Sequence, residues 1–249
     1  MKALVLESKG SPFVYKDVKD PVPNDDEAVA KIIACGSGLT IQHVRAGRIE
    51  VDYPRIIGHE ITAVIEEIGK NVKNLKVGDA VTAYFYLTCG HCKWCNNNRE
   101  TLCENFGGYV GREIDGAYAE YMKLPAKNFL KIPEPLDWRK NPAEIAVICD
   151  AIATPFKVIR HASIKTQDTV AIIGAGGGLG IHMIMMAKWA NSRVIAVDIA
   201  SDKFDACKQV GADICINPRD HNDNQAFYDY TKGMGVDVVI DFVSSNESL

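Results

Sequence analysis

Along the first 150 residues the apolar positions come in short runs broken by turn residues. KALVLE (2–7), EAVAKIIAC (27–35), EITAVIEEIG (60–69), DAVTAYFYL (79–87) and AYAEYMKL (117–124) are rich in Val, Ile, Ala and Tyr. DPVPNDDE and NLKVGD lie between them, and KIPEPLD after the last, as Pro, Gly, Asn and Asp clusters. Runs of this kind predict strands of a barrel or sandwich, because such side chains suit a half-buried pleated surface and Pro and Gly punctuate it. Past residue 150 the period changes. ICDAIATPFKVIRHASI (148–164) carries apolar residues at helical spacing, and strand and helix then alternate. DTVAIIG (168–174), RVIAVDI (193–199), DICINP (213–218) and VDVVIDFV (236–243) read as buried strands. LGIHMIMMAKWA (179–190), SDKFDACKQVG (201–211) and NQAFYDYTKG (224–233) read as the helices between them. Strands alternating with helices predict right-handed βαβ units and a parallel sheet. Two domains follow, a β-rich one over 1–150 and an α/β one over 151–249.

Composition narrows the function classes. The 249 residues are 47% hydrophobic and 24% charged, as in ordinary globular proteins. The net charge of −4 leaves no basic surplus for a phosphate backbone or an anionic membrane, so nucleic acid and membrane are not expected partners. The apolar part of MKALVLESKG is too short for a signal peptide, and no run of eighteen apolar residues occurs. Of eight cysteines, Cys35, Cys149, Cys207 and Cys215 are scattered singly, and the other four are clustered. Clustered thiols without an export signal point to a reducing cytoplasm and a bound metal rather than a disulfide framework.

The cluster is TCGHCKWCNNNRETLC, residues 88–103. Cys89, Cys92, Cys95 and Cys103 are spaced by three, three and eight, which lets four thiolates converge on one tetrahedral zinc. Four protein ligands close the site to water and substrate, so the expectation is a structural staple in a lobe over about 88–104, with His91 surplus.

The second motif is TVAIIGAGGGLGIHM. Gly174, Gly176, Gly177, Gly178 and Gly180 stand between an apolar strand and a helix, with 174, 177 and 180 in a GxxGxxG register. Such a turn lets a pyrophosphate approach the backbone at the helix N-terminus and lets the helix pack closely on the sheet. Gly174, Gly176, Gly177 and Gly180 are therefore the expected cofactor contacts. Asp198 closes the next strand, eighteen residues after Gly180. A carboxylate there accepts ribose hydroxyls and repels a 2′-phosphate, which predicts NAD over NADP. Lys203 stands five residues on, within reach of the same ribose edge.

The Cys lobe, GHE (58–60), DGAYAEY (115–121) and GAGGGLG (174–180) together resemble the zinc-dependent medium-chain alcohol dehydrogenases, over the whole chain. The resemblance implies a GroES-like catalytic barrel followed by a doubly wound dinucleotide domain. It also implies interconversion of an alcohol with an aldehyde or ketone, and assembly as a dimer or tetramer. Thr40 and His43 match the family's proton relay. His59, Glu60 and Asp150 match positions around its catalytic zinc, with Cys149 beside Asp150. At one position this chain departs: ACGSGLTIQH places Gly38 where the family has a ligand cysteine, and Cys35 lies three residues earlier. A site of His59, Glu60 and Asp150 would be oxygen-rich and harder. Two other readings share the motifs, a zinc-free reductase of activated double bonds and a non-catalytic zinc-stapled NAD-binding module. The chain stops just after the fourth strand of the α/β half, so a longer parent protein is expected.

Overall fold

The computed structural model describes residues 1–220 and 225–246. It divides into two compact units, Met1–Cys149 and Asp150–Leu249. The first unit is antiparallel. Strands β1 (Lys2–Leu6), β2 (Phe13–Asp17) and β4 (Arg55–Ile56) form one sheet in the order β2-β1-β4. Strands β3 (Glu27–Cys35), β5 (Ile61–Ile68), β6 (Ala80–Ala83), β7 (Tyr121–Pro125) and β8 (Phe129–Lys131) form the other, ordered β7-β3-β5-β6-β8. Two short helices accompany them, α1 (Leu39–Arg45) and α2 (Pro142–Ala146). Alternation builds the core: Ile61, Ala63 and Ile65 of β5 face the same side and pack with Ala28, Ala30, Val81 and Leu124.

Two expected strands are shorter than their apolar runs. β6 stops at Ala83 instead of reaching residue 87. Beyond it the buried Asn128 acts as a local partner. Its Nδ2 donates to the carbonyls of Tyr84 and Tyr86 at 2.6 and 3.0 Å, and its own carbonyl accepts from Tyr84 N–H at 2.8 Å. With those groups satisfied by one residue, two carbonyls by its side chain and the Tyr84 N–H by its main-chain carbonyl, the segment leaves the ladder. β7 starts at Tyr121 rather than 117. The residues before it lie across the strand end at β4, with Gly116 N–H on Ile56 O (2.7 Å) and Ala117 N–H on Gly58 O (3.0 Å). The helix α1 and the strands β2, β4 and β8 have no counterpart among the predicted elements.

The second unit alternates as expected. It contains α3 (Ala153–Ala162), β9 (Thr169–Ile173), α4 (Gly178–Trp189), β10 (Arg193–Val197), α5 (Phe204–Gln209), β11 (Ile214–Ile216), α6 (Gln225–Thr231) and β12 (Val238–Asp241). The four strands are parallel in the order β11-β10-β9-β12. Strand order reverses at β9, and the crevice at the carboxyl ends of such a sheet is where nucleotides bind. Burial explains the continuous apolar run of β9: Val170, Ala171 and Ile172 are all at most 2% exposed, because both faces of the sheet are covered. The helix expected over 148–164 starts only at Ala153, after a 3₁₀ turn at Val147–Cys149. The helix expected over 201–211 opens with a 3₁₀ turn at Ser201–Lys203. Residue 224, expected to begin a helix, lies outside the described residues. No helix among the described residues is long and apolar enough to cross a membrane.

Candidate functional site: a metal lobe, a dinucleotide turn and a histidine turn

The metal lobe has almost no regular structure. Two 3₁₀ turns, Cys95–Asn97 and Glu100–Leu102, are its only elements, and its buried cluster consists of Cys92, Cys95 and Cys103 with Cys89 and Trp94 against them. The four Sγ atoms all lie within 4.8 Å of one another, with Cys89 to Cys95 at 3.9 Å and Cys92 to Cys95 at 3.6 Å. A tetrahedron with metal–sulfur bonds of about 2.3 Å has sulfurs about 3.8 Å apart, so these thiols are already placed for zinc. Backbone N–H groups favour the thiolate form: Cys89 N–H donates to Cys103 Sγ at 3.2 Å and Cys92 N–H to Cys89 Sγ at 3.4 Å. The N–H of His91, with that of Cys92, holds the Cys89 thiol down to about 6. Burial, then the neighbouring thiols, pushes Cys95 up to about 11. Four sulfurs this close cannot all ionise without a cation among them, and a divalent metal removes that conflict. Lys127 ties the lobe to the sheet by donating to the carbonyls of Thr88 and Cys89. His91 is exposed, with Nδ1 against Cys89 O at 3.0 Å.

At the dinucleotide turn, Gly177 caps α4 and Gly174 takes φ +74, a conformation that favours glycine. A Cβ at Gly180 would lie 2.2 Å from Gly174 O, so only glycine lets α4 sit this close to the end of β9. The first N–H groups of a helix have no intrahelical acceptor, so a helix N-terminus such as that of α4 favours an anion. Asp198 is 8% exposed at the end of β10. Its Oδ2 accepts from Gly176 N–H at 2.8 Å and its Oδ1 from Ala200 N–H at 2.9 Å. The carboxylate is thus fixed beside the glycines with acceptor capacity to spare. Lys203 folds over the same turn, and a Cβ on Gly176 would be 2.5 Å from its Cδ. Gly174, Gly176, Gly177, Gly180, Asp198 and Lys203 therefore form one cluster, and their arrangement fits a dinucleotide.

The histidine turn is built in the first unit. Gly58 has φ +100, and a Cβ at Gly116 would lie 2.2 Å from its carbonyl oxygen, so the 111–117 loop lies directly on the GHE backbone. Asp115 Oδ1 holds that loop by accepting from Arg55 Nη1 and from Ile56 N–H, both at 3.1 Å. The His59 ring stands 4.6 Å from that of Phe85, the first of a row of rings running through Tyr86 to Tyr109. Thr40 and His43 are three apart on α1 and share a face. His43 Nδ1 accepts from Arg48 Nε at 2.7 Å. Sequence reasoning passed over Arg48 and Phe85. The signal for Arg48 was an arginine one residue past the Gly47 turn that follows α1.

Glu60 is 6% exposed, and its carboxylate covers the glycines opposite: a Cβ on Gly36 would be 2.4 Å from Glu60 Oε2, and one on Gly38 would be 3.9 Å from it. The Cys35 thiol does not replace the cysteine missing at Gly38. It is directed at Gly36 O, 3.6 Å away, and packs against Gly58. Burial, then the Glu60 carboxylate, pushes it up to about 12, far from a ready thiolate. Cys149 Sγ is engaged by the Thr82 hydroxyl at 3.1 Å. Asp150 opens the second unit, and its Oδ1 accepts from Thr154 Oγ1 at 2.9 Å. Around Gly38 the Glu60 carboxylate is thus present without a thiolate. That donor set does not fit the family's cysteine-bearing zinc.

Residues 24–134 match the alcohol dehydrogenase GroES-like domain, and residues 178–249 match the zinc-binding dehydrogenase family. An alcohol dehydrogenase of Geobacillus stearothermophilus is 39% identical over 226 residues, covering 90% of this chain and 65% of that protein. An acryloyl-coenzyme A reductase of Sulfurisphaera tokodaii is 31% identical, covering 98% of this chain and 71% of that protein. The crystal structure of the alcohol dehydrogenase of Aeropyrum pernix superposes with a TM-score of 0.90 at 29% identity, covering all of this chain and 73% of that one. The chain thus spans 65 to 73% of the length of these relatives. The chain belongs to the zinc-type medium-chain alcohol dehydrogenase family, with its GroES-like domain followed by a Rossmann-like parallel sheet.

Proposed function

We propose that the chain acts as an NAD-dependent oxidoreductase that interconverts a small alcohol and an aldehyde or ketone. The observation that carries this reading is Asp198 fixed by Gly176 N–H at the glycine turn, beside a helix N-terminus. NAD bound there supplies the hydride acceptor. Asp198 would hold the adenosine ribose, Lys203 its edge, and the Gly174–Gly180 backbone the pyrophosphate. The Thr40 hydroxyl would take the proton of the substrate alcohol and hand it towards His43. His59 and Glu60 would orient the substrate oxygen beside the Phe85 ring, and Asp150 would anchor the start of α3. Zinc would sit on Cys89, Cys92, Cys95 and Cys103 as a staple. A reducing cytoplasm is the compartment we propose, since it would keep these cysteines out of disulfides.

A second reading, metal-independent reduction of an activated double bond, is favoured by the Glu60 carboxylate lying over Gly36 and Gly38 where a ligand thiol would be needed. One experiment separates the two. Zinc is counted per chain, and an alcohol series with NAD is compared with enones and NADH. One zinc per chain is expected, rising to two in Gly38→Cys, since a Cβ there meets only Glu60 Oε2 at 3.9 Å. Enone reduction without alcohol turnover would replace the first reading by the second. Asp198→Asn is expected to weaken NAD binding on the order of tenfold, the worth of a hydrogen bond to a charged group, with NADP affected less. Fluorescence titration of both nucleotides measures it, and equal losses for the two would remove Asp198 from the ribose.

A further inference from the structure

After α1 the chain turns back on itself. Gly47 takes φ +69, and the N–H groups of Arg48 and Ile49 both return to the carbonyl of His43, at 2.9 and 3.3 Å. This turn delivers the Arg48 side chain to the imidazole, with Nε 2.7 Å from Nδ1. A guanidinium has only donors and does not give up its proton. Nδ1 must therefore offer a lone pair. A neutral imidazole carries one ring proton, and in this contact that proton resides on Nε2.

We propose that Arg48 is a positioning residue that latches His43 as its neutral Nε2–H tautomer, so that the ring donates from Nε2 and takes up no proton while the contact lasts. This rests on the reading of Thr40 and His43 as the proton path. A proton arriving through Thr40 meets an Nε2 that is already protonated. Taking it up elsewhere on the ring would aim an Nδ1–H at a guanidinium. Transfer therefore waits for Arg48 to leave. The ring can then rearrange to its Nδ1–H form, accept the incoming proton on Nε2 and release the Nδ1 proton to solvent. One proton enters, one leaves and the ring ends neutral. Arg48 is exposed on a short loop, so its departure breaks no core packing.

The test is long-range ¹H–¹⁵N NMR of the histidine rings in the intact protein without substrate, at about pH 8.5, two units above an ordinary imidazole. The protein has six histidines, and the signal lost in His43→Gln identifies the ring. Wild type is expected to show an unprotonated Nδ1 and a protonated Nε2. Arg48→Met should move Nδ1 upfield, as the Nδ1–H tautomer becomes populated. Arg48→Lys should restore the wild-type position, because an ammonium can donate to the same nitrogen. Identical ring shifts in wild type and Arg48→Met, or a protonated Nδ1 in wild type, would overturn the latch. The ring shifts need no turnover, so a protein that oxidises no alcohol would sink the dehydrogenase reading and leave the latch result standing.

Discussion

Replacing Cys95 with Ser is expected to empty the lobe of zinc and to lower the melting temperature on the order of 10 °C. The lobe has no core of its own beyond the cysteines and Trp94, and its two 3₁₀ turns are too short to persist alone. Its folding free energy is therefore metal-binding free energy, which reaches about 10–16 kcal/mol in isolated zinc modules. Only part of that reaches global stability here, because the rest of the first unit has its own core around Ile61, Ile65 and Leu124. A loss of about 3–5 kcal/mol corresponds to the stated shift for a protein of this size. Serine is nearly isosteric with cysteine but is a poor zinc ligand, so the effect reads the metal rather than a cavity. Lys127 would still bind the carbonyls of Thr88 and Cys89 and hold the base of the lobe, so opening should be local. Metal analysis and calorimetry of wild type, Cys95→Ser and chelator-treated wild type check this. A Cys95→Ser protein that keeps one zinc, or melts with wild type, would refute the staple.

How much of this was legible beforehand follows from the range of the interactions involved. The Cys89–Cys103 lobe was, because thiol spacing within sixteen residues dictates convergence and needs no distant partner. The order β9, turn, α4, β10, Asp198 was too, since each link is a local period or a turn glycine. Gly38 showed that a donor is missing only through the family resemblance, which implies a ligand cysteine at that position. The features that escaped depend on residues far apart in the chain. β6 ends early because Asn128, forty-four residues beyond Tyr84, satisfies the backbone there. β7 starts late because Gly116 and Ala117 pair with the strand end at residues 56–58 instead. The contact of Arg48 with His43 spans only five residues, yet it depends on a left-handed Gly47 that no hydrophobic period reveals.

Among the glycines of the turn, Gly180→Ala is expected to do the most damage, and the size of the effect can be ordered from the space each Cβ would find. At Gly180 the new carbon would lie 2.2 Å from Gly174 O and 2.7 Å from the Cα of Ala175, all backbone. Neither atom can rotate away, so α4 must lift from β9 or the turn must open. α4 packs on the sheet through Met183, Ile184 and Ala187, each fully buried, and lifting it would open gaps along that whole face. Overpacking of this kind costs about 1–3 kcal/mol, or a melting shift of roughly 2–12 °C. Displacing the first turn of α4 also moves its N–H groups away from Gly176 and Asp198, so nucleotide affinity should fall on the order of tenfold or more. Gly177→Ala meets Gly174 O at 3.2 Å and should be mild. Gly178→Ala meets nothing within 4 Å and should match wild type or gain about 0.5 kcal/mol from a stiffer unfolded chain. Calorimetry without nucleotide, followed by NAD titration, reads the two effects separately. If Gly180→Ala melted and bound NAD like Gly178→Ala, close packing of α4 on β9 would not be what shapes the nucleotide site.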